Sequence, residues 1–186
     1  MFNNLIEDKV VSLYSLANWQ NGLAFRDINF SQSGIPVIKI AELKNGITDQ
    51  TKFTLDEFED SVKLHKGDML FSWSGNPDTS IDIYYYKYES GWLNQHIFKV
   101  TAKSIDSKFL YYLLKSMKPE FQRIASNKQT TGLGHVTIAD LKRLNVYIPK
   151  LEKQQHIVNI NRHCSIFPLV LHRFLYLLQK ALLVQV

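Results

Sequence analysis

The sequence predicts an α+β fold: a β-rich globular domain with short helices, followed by a long C-terminal helix. Three observations predict it. Short β-branched runs bounded by turn residues fill the first half, amphipathic helical spacing begins at Ser107, and a heptad repeat of apolar residues follows Pro149. Hydrophobic residues make up 45% of the chain and aromatic residues 12%, which is typical of a folded protein and not of a disordered one.

Four strands are predicted in the first hundred residues, because β-branched and aromatic runs there are bounded by turn formers. The turn formers over Ser74–Ser80 predict an exposed loop, and Glu89–Gly91 a turn. The acidic stretch Leu55–Ser61 is expected to form one or two helical turns. The predicted strands are Gly34–Ile40, Met69–Trp73, Ile81–Tyr88 and Leu93–Val100.

From Ser107 onward the apolar spacing is helical, and Pro119 is expected to end the first helix. A cap at Thr137 with Asp140 in the first turn predicts a later helix start. The remaining predicted elements are a helix over Glu120–Ala125, a loop over Asn127–His135 and a strand over Leu144–Pro149.

A seam of apolar residues after Pro149 recurs at alternating spacings of three and four. This is a heptad pattern and predicts a coiled-coil helix, with a kink expected at Pro168. We therefore predict two domains, residues 1–149 and residues 150–186. The seam residues singled out for dimer or partner contacts are Ile157, Ile160, Cys164, Phe167, Leu171, Phe174 and Leu178.

The apolar C-terminus raises a membrane span as the rival interpretation. Four polar residues interrupt it (His172, Arg173, Gln179 and Lys180), so no run of about twenty apolar residues remains, and we expect no membrane contact. Neither a signal-peptide pattern at the N-terminus nor a pair of cysteines points to export or an oxidising compartment. The expected location is the cytoplasm.

Charge is unevenly distributed along the chain. Residues 1–98 carry 8 Lys and Arg against 13 Asp and Glu, whereas residues 99–186 carry 14 against 4. A basic half of this kind is typical of proteins with a polyanionic partner, although an ordinary solvated basic face has the same composition.

Catalytic signatures are incomplete. One cysteine cannot supply a zinc cluster, and Gly132-Leu133-Gly134 lacks the Lys-Ser/Thr of a phosphate-binding loop. Asn76-Pro77-Asp78-Thr79 shares only its first two residues with the tetrad of adenine methyltransferases. We predict no catalytic residue, metal or cofactor on this chain. A divalent-metal nuclease using Asp27, Glu42 and Lys44 stays open as the enzymatic alternative.

Two loops carry side chains suited to reading DNA bases. The first holds Lys128, Gln129, Thr130 and Thr131, and the second holds Ser72, Trp73, Ser74 and Asn76. Glutamine can bond bidentately to adenine, lysine can bond guanine or phosphate, and threonine methyls can contact thymine. Lys44 and Asn45 form the third group of candidate DNA contacts. The residue types in both loops are also common in turns that bind nothing, which is the alternative interpretation.

Seven segments follow one another along the chain in a recognisable order: Trp19–Arg26, Gly34–Ile40, Lys66–Ser72, Leu93–Phe98, Gln129–His135, Val146–Pro149 and Lys153–Ile157. This series resembles the target-recognition domain of type I restriction-modification specificity subunits, followed by that family's spacer helix. The resemblance covers roughly residues 15–160.

The resemblance implies a non-catalytic subunit that reads half of a bipartite double-stranded DNA site. Methyltransferase subunits would bring S-adenosylmethionine, and a restriction subunit would bring ATP and Mg²⁺. Family subunits contain two recognition domains and two helices, whereas this chain has one of each. It would therefore pair with a copy of itself, or be a fragment or cassette of a longer subunit. A symmetric homodimer requires a palindromic site. A plain oligomerisation module is the remaining alternative.

Overall fold

The computed structural model describes residues 9–26, 28–129 and 132–163, the side chains of Ile160–His163 excepted. The strands are β1 (Lys9–Ser12), β2 (Ala17–Asn21), β3 (Phe30–Ser31), β4 (Ile35–Ile38), β5 (Phe53–Thr54), β6 (Lys63–His65), β7 (Met69–Ser72), β8 (Ser74–Gly75), β9 (Asp82–Tyr85), β10 (Ser90–Leu93), β11 (Ile97–Ala102), β12 (Gly134–His135) and β13 (Asn145–Ile148). The helices are α1 (Ile40–Asn45), α2 (Pro77–Ser80), α3 (Ser107–Ser116), α4 (Lys118–Asn127), α5 (Ile138–Arg143) and α6 (Leu151–His163), with 3-10 turns at Leu13–Leu16 and Asp60–Val62.

The chain divides into two compact units. Unit 1 comprises Met1–Asn18, Ala102–Ile124 and Val136–Val186, and unit 2 comprises Trp19–Thr101 and Ala125–His135. Each unit is therefore built from separate stretches of sequence. The predicted boundary between residues 149 and 150 stays a prediction, because most of the segment beyond it lies outside the described residues.

Unit 2 is built on strands. One sheet has the order β3-β5-β4-β10-β6, in which only the β4–β10 pair is parallel. A second has the order β2-β11-β7-β9, with β7 antiparallel to both neighbours. β8 and β12 form a separate antiparallel ribbon. β10 and β11 follow each other in the chain, so the segment between them links the two larger sheets.

An apolar cluster lies in the interior of unit 2, and Trp92 is its largest fully buried side chain. The Trp92 ring meets the Phe58 ring edge-on with 5.1 Å between centroids, and Lys63 Nζ lies 5.3 Å from the Trp92 ring centre. Burial of aromatic and branched side chains from both sheets is the main contribution to the stability of unit 2. The buried members are Val37, Ile38, Val62, Leu64, Leu70, Tyr86, Trp92, Leu93 and Ile97.

Unit 1 combines a two-stranded sheet with helices. β1 pairs antiparallel with β13, from Lys9 opposite Ile148 to Ser12 opposite Asn145. Asp106 caps α3 by accepting bonds from Lys108 N and Phe109 N, so the helix begins where the predicted amphipathic spacing begins. The buried apolar side chains of unit 1 include Leu13, Phe109, Leu110, Leu113, Leu114, Phe121, Leu141, Val146, Ile148 and Val158.

The α+β prediction is confirmed, with one main error in unit 2. Leu93–Val100 was predicted as one strand, but β10 ends at Leu93 and β11 begins at Ile97. Asn94 N donates to Ile38 O, and Ile97 N donates to Asn94 O, so the chain turns between the two sheets here. The connection expected at Glu89–Gly91 lies slightly earlier in the chain, because β9 ends at Tyr85 and β10 begins at Ser90.

Smaller differences concern short helices. Ser74–Ser80 was predicted as loop but contains β8 and α2, α1 follows β4 directly, and the acidic stretch forms a 3-10 turn only at Asp60–Val62. Pro119 does not simply end α3. It occupies the second position of α4, where its missing N–H costs no helical hydrogen bond.

α6 covers the beginning of the predicted C-terminal helix, and Ile157 is half-buried within it. The side chain of Ile160, and the seam from Cys164 through Phe167, Leu171 and Phe174 to Leu178, lie outside the described residues, so the coiled coil stays a prediction. Within the part of the chain that the structure describes, no helix has the length and apolar character needed to cross a bilayer.

The first prediction concerns the core of unit 2. Trp92→Ala should lower the free energy of unfolding by about 3–5 kcal/mol, because it leaves a large cavity. Leu55→Ala, at a side chain that is 73% exposed, should change it by less than about 0.5 kcal/mol. Urea unfolding followed by tryptophan fluorescence and circular dichroism measures both. Equal effects of the two substitutions would contradict the placement of Trp92.

Candidate nucleic-acid interface

The β8–β12 ribbon joins the two loops that the sequence singled out. Ser74 lies opposite His135 and Gly75 lies opposite Gly134, so segments about sixty residues apart in the chain become neighbours. Gly134 has no space for a side chain, since a Cβ there would lie 2.2 Å from Ala125 O. The chain after α4 therefore folds back closely on the end of that helix before it pairs with β8.

The third predicted segment lies beside the same ribbon. A Cβ built on Gly75 would lie 3.8 Å from Ile40 Cδ1, which places the first residue of α1 in contact distance. Lys44 and Asn45 form the exposed last turn of α1. Gly46 follows with φ of +84°, a left-handed conformation that glycine adopts without steric cost and that ends the helix here.

Two of the predicted contact residues have structural roles. Ser72 is fully buried and its hydroxyl donates to Ser80 O at 2.6 Å, which joins β7 to the end of α2. Ser72 is therefore not accessible to DNA and is not part of the interface. Asn76 is exposed, but its Oδ1 caps α2 by accepting bonds from Asp78 N at 3.0 Å and Thr79 N at 3.1 Å.

The other predicted residues differ in accessibility. Gln129 is exposed, and Ser74 and Lys128 are half-buried. Backbone bonds from Lys128 N to Ala125 O and from Gln129 N to Ser126 O tie the first half of this loop to the end of α4. Thr130 and Thr131 lie outside the described residues, so their predicted contacts are not tested.

Trp73 anchors the loop between β7 and β8. Its ring stacks on the Phe98 ring with 5.5 Å between centroids, and the centroid of the His96 ring lies 5.8 Å from that of Trp73. Trp73 N also donates to His96 O. The ring is half-buried, and its Nε1 is buried with no hydrogen-bond partner among the described residues. Trp73 therefore packs as a support for the loop, with its indole N–H withdrawn from solvent.

Sequence reasoning missed the turn that joins β10 to β11. Gln95 and His96 are both half-buried there, and Gln95 Nε2 lies 3.1 Å from His96 Nε2. Gln95 N donates to Leu23 O, which fixes the turn to the preceding loop. These residues stood inside a segment predicted as one strand. The polar Asn94-Gln95-His96 triplet within that apolar run was the signal that could have revealed the turn.

Three segments meet around Trp73 and Ser74. We call residues 73–76, 94–96, 128–129 and 132–135 the loop cluster. Trp73 contacts His96 of the second segment, and Ser74 pairs with His135 of the third. The described residues of all three segments belong to unit 2, where the first segment follows β7 and the second lies between β10 and β11. A rigid scaffold thus carries a group of polar loop side chains, which is a frequent arrangement for binding sites.

Burial sets the protonation of the one histidine in the cluster that is not exposed. Desolvation lowers the pKa of His96 below its ordinary value of 6.5, so the imidazole is neutral at physiological pH. A neutral imidazole offers one donor and one acceptor. Its Nδ1 is buried without a hydrogen-bond partner in the described residues, and its Nε2 lies within hydrogen-bond distance of the Gln95 amide.

Glu42, one of the two carboxylates of the nuclease alternative, has a structural role. Glu42 is buried, its Oε2 accepts a bond from Lys39 N at 3.0 Å, and its Oε1 accepts one from Thr51 Oγ1 at 3.2 Å. It closes the first turn of α1. Asp27 lies outside the described residues. Among the residues that are described, no cluster of three His, Cys, Asp or Glu side chains could hold a metal ion.

Residues 6–161 match the family described as the type I restriction modification DNA specificity domain. The match covers most of the chain. The chain belongs to this family. No protein with a curated description matches the sequence.

Solved structures of this class have a similar fold. The S subunit of a type I restriction-modification system from M. genitalium is 18% identical with a TM-score of 0.58, over 86% of this chain and 39% of that one. The HsdS subunit from Thermoanaerobacter tengcongensis is 16% identical with a TM-score of 0.58, over 92% and 43%.

A third match comes from a structure describing complex assembly and conformational transition of the type I R-M system. It is 16% identical with a TM-score of 0.61, over 97% of this chain and 44% of that one. This chain spans less than half the length of each of these three chains. The half-length form that the sequence predicted agrees with these proportions.

The second prediction concerns His96. Its folded-state pKa lies below that of the unfolded chain, so between these two values the unfolded state binds a proton that the folded state does not. This contribution to stability is complete above about pH 6.5 and is lost as the pH falls below it. The free energy of unfolding should therefore fall more between pH 7.5 and 5.5 in the wild type than in His96→Gln.

The matched control is His65→Gln, because His65 is exposed. That variant should keep the pH dependence of the wild type, and urea unfolding at both pH values measures all three proteins. Identical pH dependence in the wild type and the His96 variant would show that the His96 imidazole is not desolvated in the folded state.

Proposed function

We propose that this chain reads one half of a bipartite DNA site, and so directs a type I methyltransferase and restriction complex to it. Membership of the DNA specificity family supports the role, and one structural observation supports the location. That observation is the pairing of Ser74–Gly75 with Gly134–His135, which gathers the polar loops into a single cluster. Reading of bases by side chains requires several donors and acceptors held in fixed relative positions.

Five described members of the loop cluster are assigned to base edges. Gln129 and Gln95 have amides that can donate to N7 and accept from the N6 amine of adenine in the major groove. His96 and His135 each present an imidazole, and Ser74 a hydroxyl, which can bond either kind of base edge. Thr130 and Thr131 are retained as proposed contacts of the same loop. Ser72 is excluded because it is buried.

Phosphate contacts are assigned to basic residues. Lys128 lies within the loop cluster, and Lys44 is exposed on the last turn of α1, beside Asn45. The basic half of the sequence, residues 99–186, supplies the longer-range attraction to DNA. Each phosphate that a lysine neutralises releases condensed counterions, so the affinity for any duplex falls steeply with salt concentration.

The proposed assembly rests on the predicted seam of the C-terminal helix. The chain spans less than half the length of each matched specificity chain. We propose a homodimer formed through the predicted seam from Ile157 to Leu178, which also holds the methyltransferase subunits and through them the restriction subunit. Two-fold symmetry of such a dimer would be matched by a palindromic, split DNA site.

The chemistry is assigned to those partners. The internal bonds of Glu42 weaken the case for a nuclease centre on this chain. We propose that the chain holds no cofactor and carries no catalytic residue, and that S-adenosylmethionine, ATP and Mg²⁺ act on the partner subunits. The proposed location of the complex is the cytoplasm, where its DNA substrate is found.

The third prediction tests this function by selection from a random duplex library. The chain mixed with its methyltransferase subunit should enrich two short half-sites at a fixed separation. Gln129→Ala should relax the preference at one position of each half-site by about 1–3 kcal/mol, because a bidentate contact is lost there. Sequencing of the selected pools at two salt concentrations measures both effects.

Gln32→Ala is the control, because Gln32 is exposed beside β3 in the five-stranded sheet and lies outside the loop cluster. It should select the same motif as the wild type with the same base preferences. A folded wild-type complex that enriches no motif would contradict the proposed function and favour a plain oligomerisation module. An unchanged motif in the Gln129 variant would remove that residue from the interface.

A further inference from the structure

A buried amide links the beginnings of two helices in unit 1. Gln154 is fully buried, although it is polar and lies only four residues into α6. Its Oε1 accepts a hydrogen bond from Asp106 N at 3.0 Å, and its Nε2 donates one to Pro149 O at 2.8 Å. One side chain thus holds the residue that caps α3 and the residue that connects β13 to α6.

The two partners are backbone groups that no regular element satisfies. Asp106 precedes the first turn of α3, and its carboxylate is already engaged in capping Lys108 N and Phe109 N. Pro149 precedes α6, whose first helical bond runs from Gln154 N to Lys150 O. A side chain that both donates and accepts is needed to satisfy Asp106 N and Pro149 O together, and a primary amide does this without carrying a charge.

Side-chain packing beside this amide is incomplete. An open cleft of about 390 Å³ lies between the start of α3 and α6, lined by Asp106, Ser107, Lys108, Gln155, Val158 and Asn159. One turn beyond Gln154, Val158 is buried on the same face of α6. Gln154 thus supplies one directional hydrogen bond between the starts of α3 and α6, and its second bond, to Pro149 O, holds the amide in place.

We propose that Gln154 is a positioning residue that fixes the direction in which α6 leaves unit 1. Hydrogen bonds constrain angles, whereas a single apolar contact permits rotation. In the assembled subunit, the direction of this helix would set the separation between the two half-sites. This last step rests on the proposed function. The role of the amide within unit 1 does not depend on it.

The experiment uses two substitutions of Gln154 and one matched control. Gln154→Met keeps the length of the side chain and removes both hydrogen bonds. Gln154→Glu keeps an acceptor for Asp106 N but places an oxygen against Pro149 O. Gln155→Met makes the same chemical change at the next residue, which is exposed. Circular dichroism and thermal unfolding establish that each protein is folded.

The first readout needs no DNA. Spin labels on Lys103→Cys and His156→Cys, both exposed positions of unit 1, report the distance between the loop before α3 and α6. Cys164→Ser removes the native thiol, and dilution with unlabelled protein suppresses distances between copies. We expect one narrow distance distribution in the wild type and Gln155→Met, and at least a doubling of its width in Gln154→Met. Equal widths would overturn the proposal.

The second readout is the spacing of the selected motif. Gln154→Met should enrich the same half-site bases as the wild type, spread over two or more separations, whereas Gln155→Met should keep the single separation. A residue that only stabilises the fold would lower the yield without changing the spacing. An unchanged single separation in a folded Gln154→Met complex would overturn the link from helix direction to half-site spacing.

The outcomes separate the two proposals. If Gln154→Met does not fold, Gln154→Glu decides the matter by the same two measurements, a broadened distance supporting the proposal and an unchanged one overturning it. Failure of the wild type to enrich any split motif would contradict the proposed function. The distance measurement would then still decide whether Gln154 fixes α6.

Discussion

Backbone pairing between Ser74–Gly75 and Gly134–His135 is the contact on which the proposed interface depends. A ribbon of two residues on each side has little stability of its own. Its position is therefore determined by its supports. Gly134 lies against the end of α4 with no room for a Cβ, and Trp73 stacks on Phe98 of β11. These contacts hold the segment before α5 against the segment after β7, which lies much earlier in the chain.

The residues in and beside the loop cluster fall into two groups, those that support it and those that can contact another molecule. Ser72, Trp73 and Asn76 hold the loop in shape through a buried hydroxyl, a stacked ring and a helix cap. Gln95 and Gln129 have their side chains partly or fully in solvent, where they can meet another molecule. A rigid frame matters for recognition because side chains that are already positioned lose less entropy when they bind.

The elements that could be predicted from the sequence are those determined by interactions within a few neighbouring residues. The helix over Ser107–Ser116 and the cap at Thr137 were predictable, because periodicity and capping act within a few residues. The break between Leu93 and Ile97 was not, because it depends on Asn94 N bonding to Ile38 O in a distant strand. Because of this error, the sequence analysis did not include Gln95 and His96 in the candidate site.

The same limit applied to the individual side chains of the site. The composition of 72–76 and 128–131 identified both loops, but not which members point outward. Ser72 and Asn76 looked like candidate contacts because serine and asparagine suit both base recognition and turn formation. Only the three-dimensional partners, Ser80 O for Ser72 and the α2 backbone for Asn76, distinguish the two roles.

The most direct test of the central claim is site-specific photo-crosslinking of the assembled complex to its selected duplex. A photoreactive amino acid would replace Ser74, Gln95 or His135 in turn, with Leu55 of the five-stranded sheet region as the control position. The account predicts crosslinks from all three cluster positions to the bases of one half-site, and none from Leu55. Crosslinks from Leu55 alone, or none from the cluster while the duplex stays bound, would contradict it.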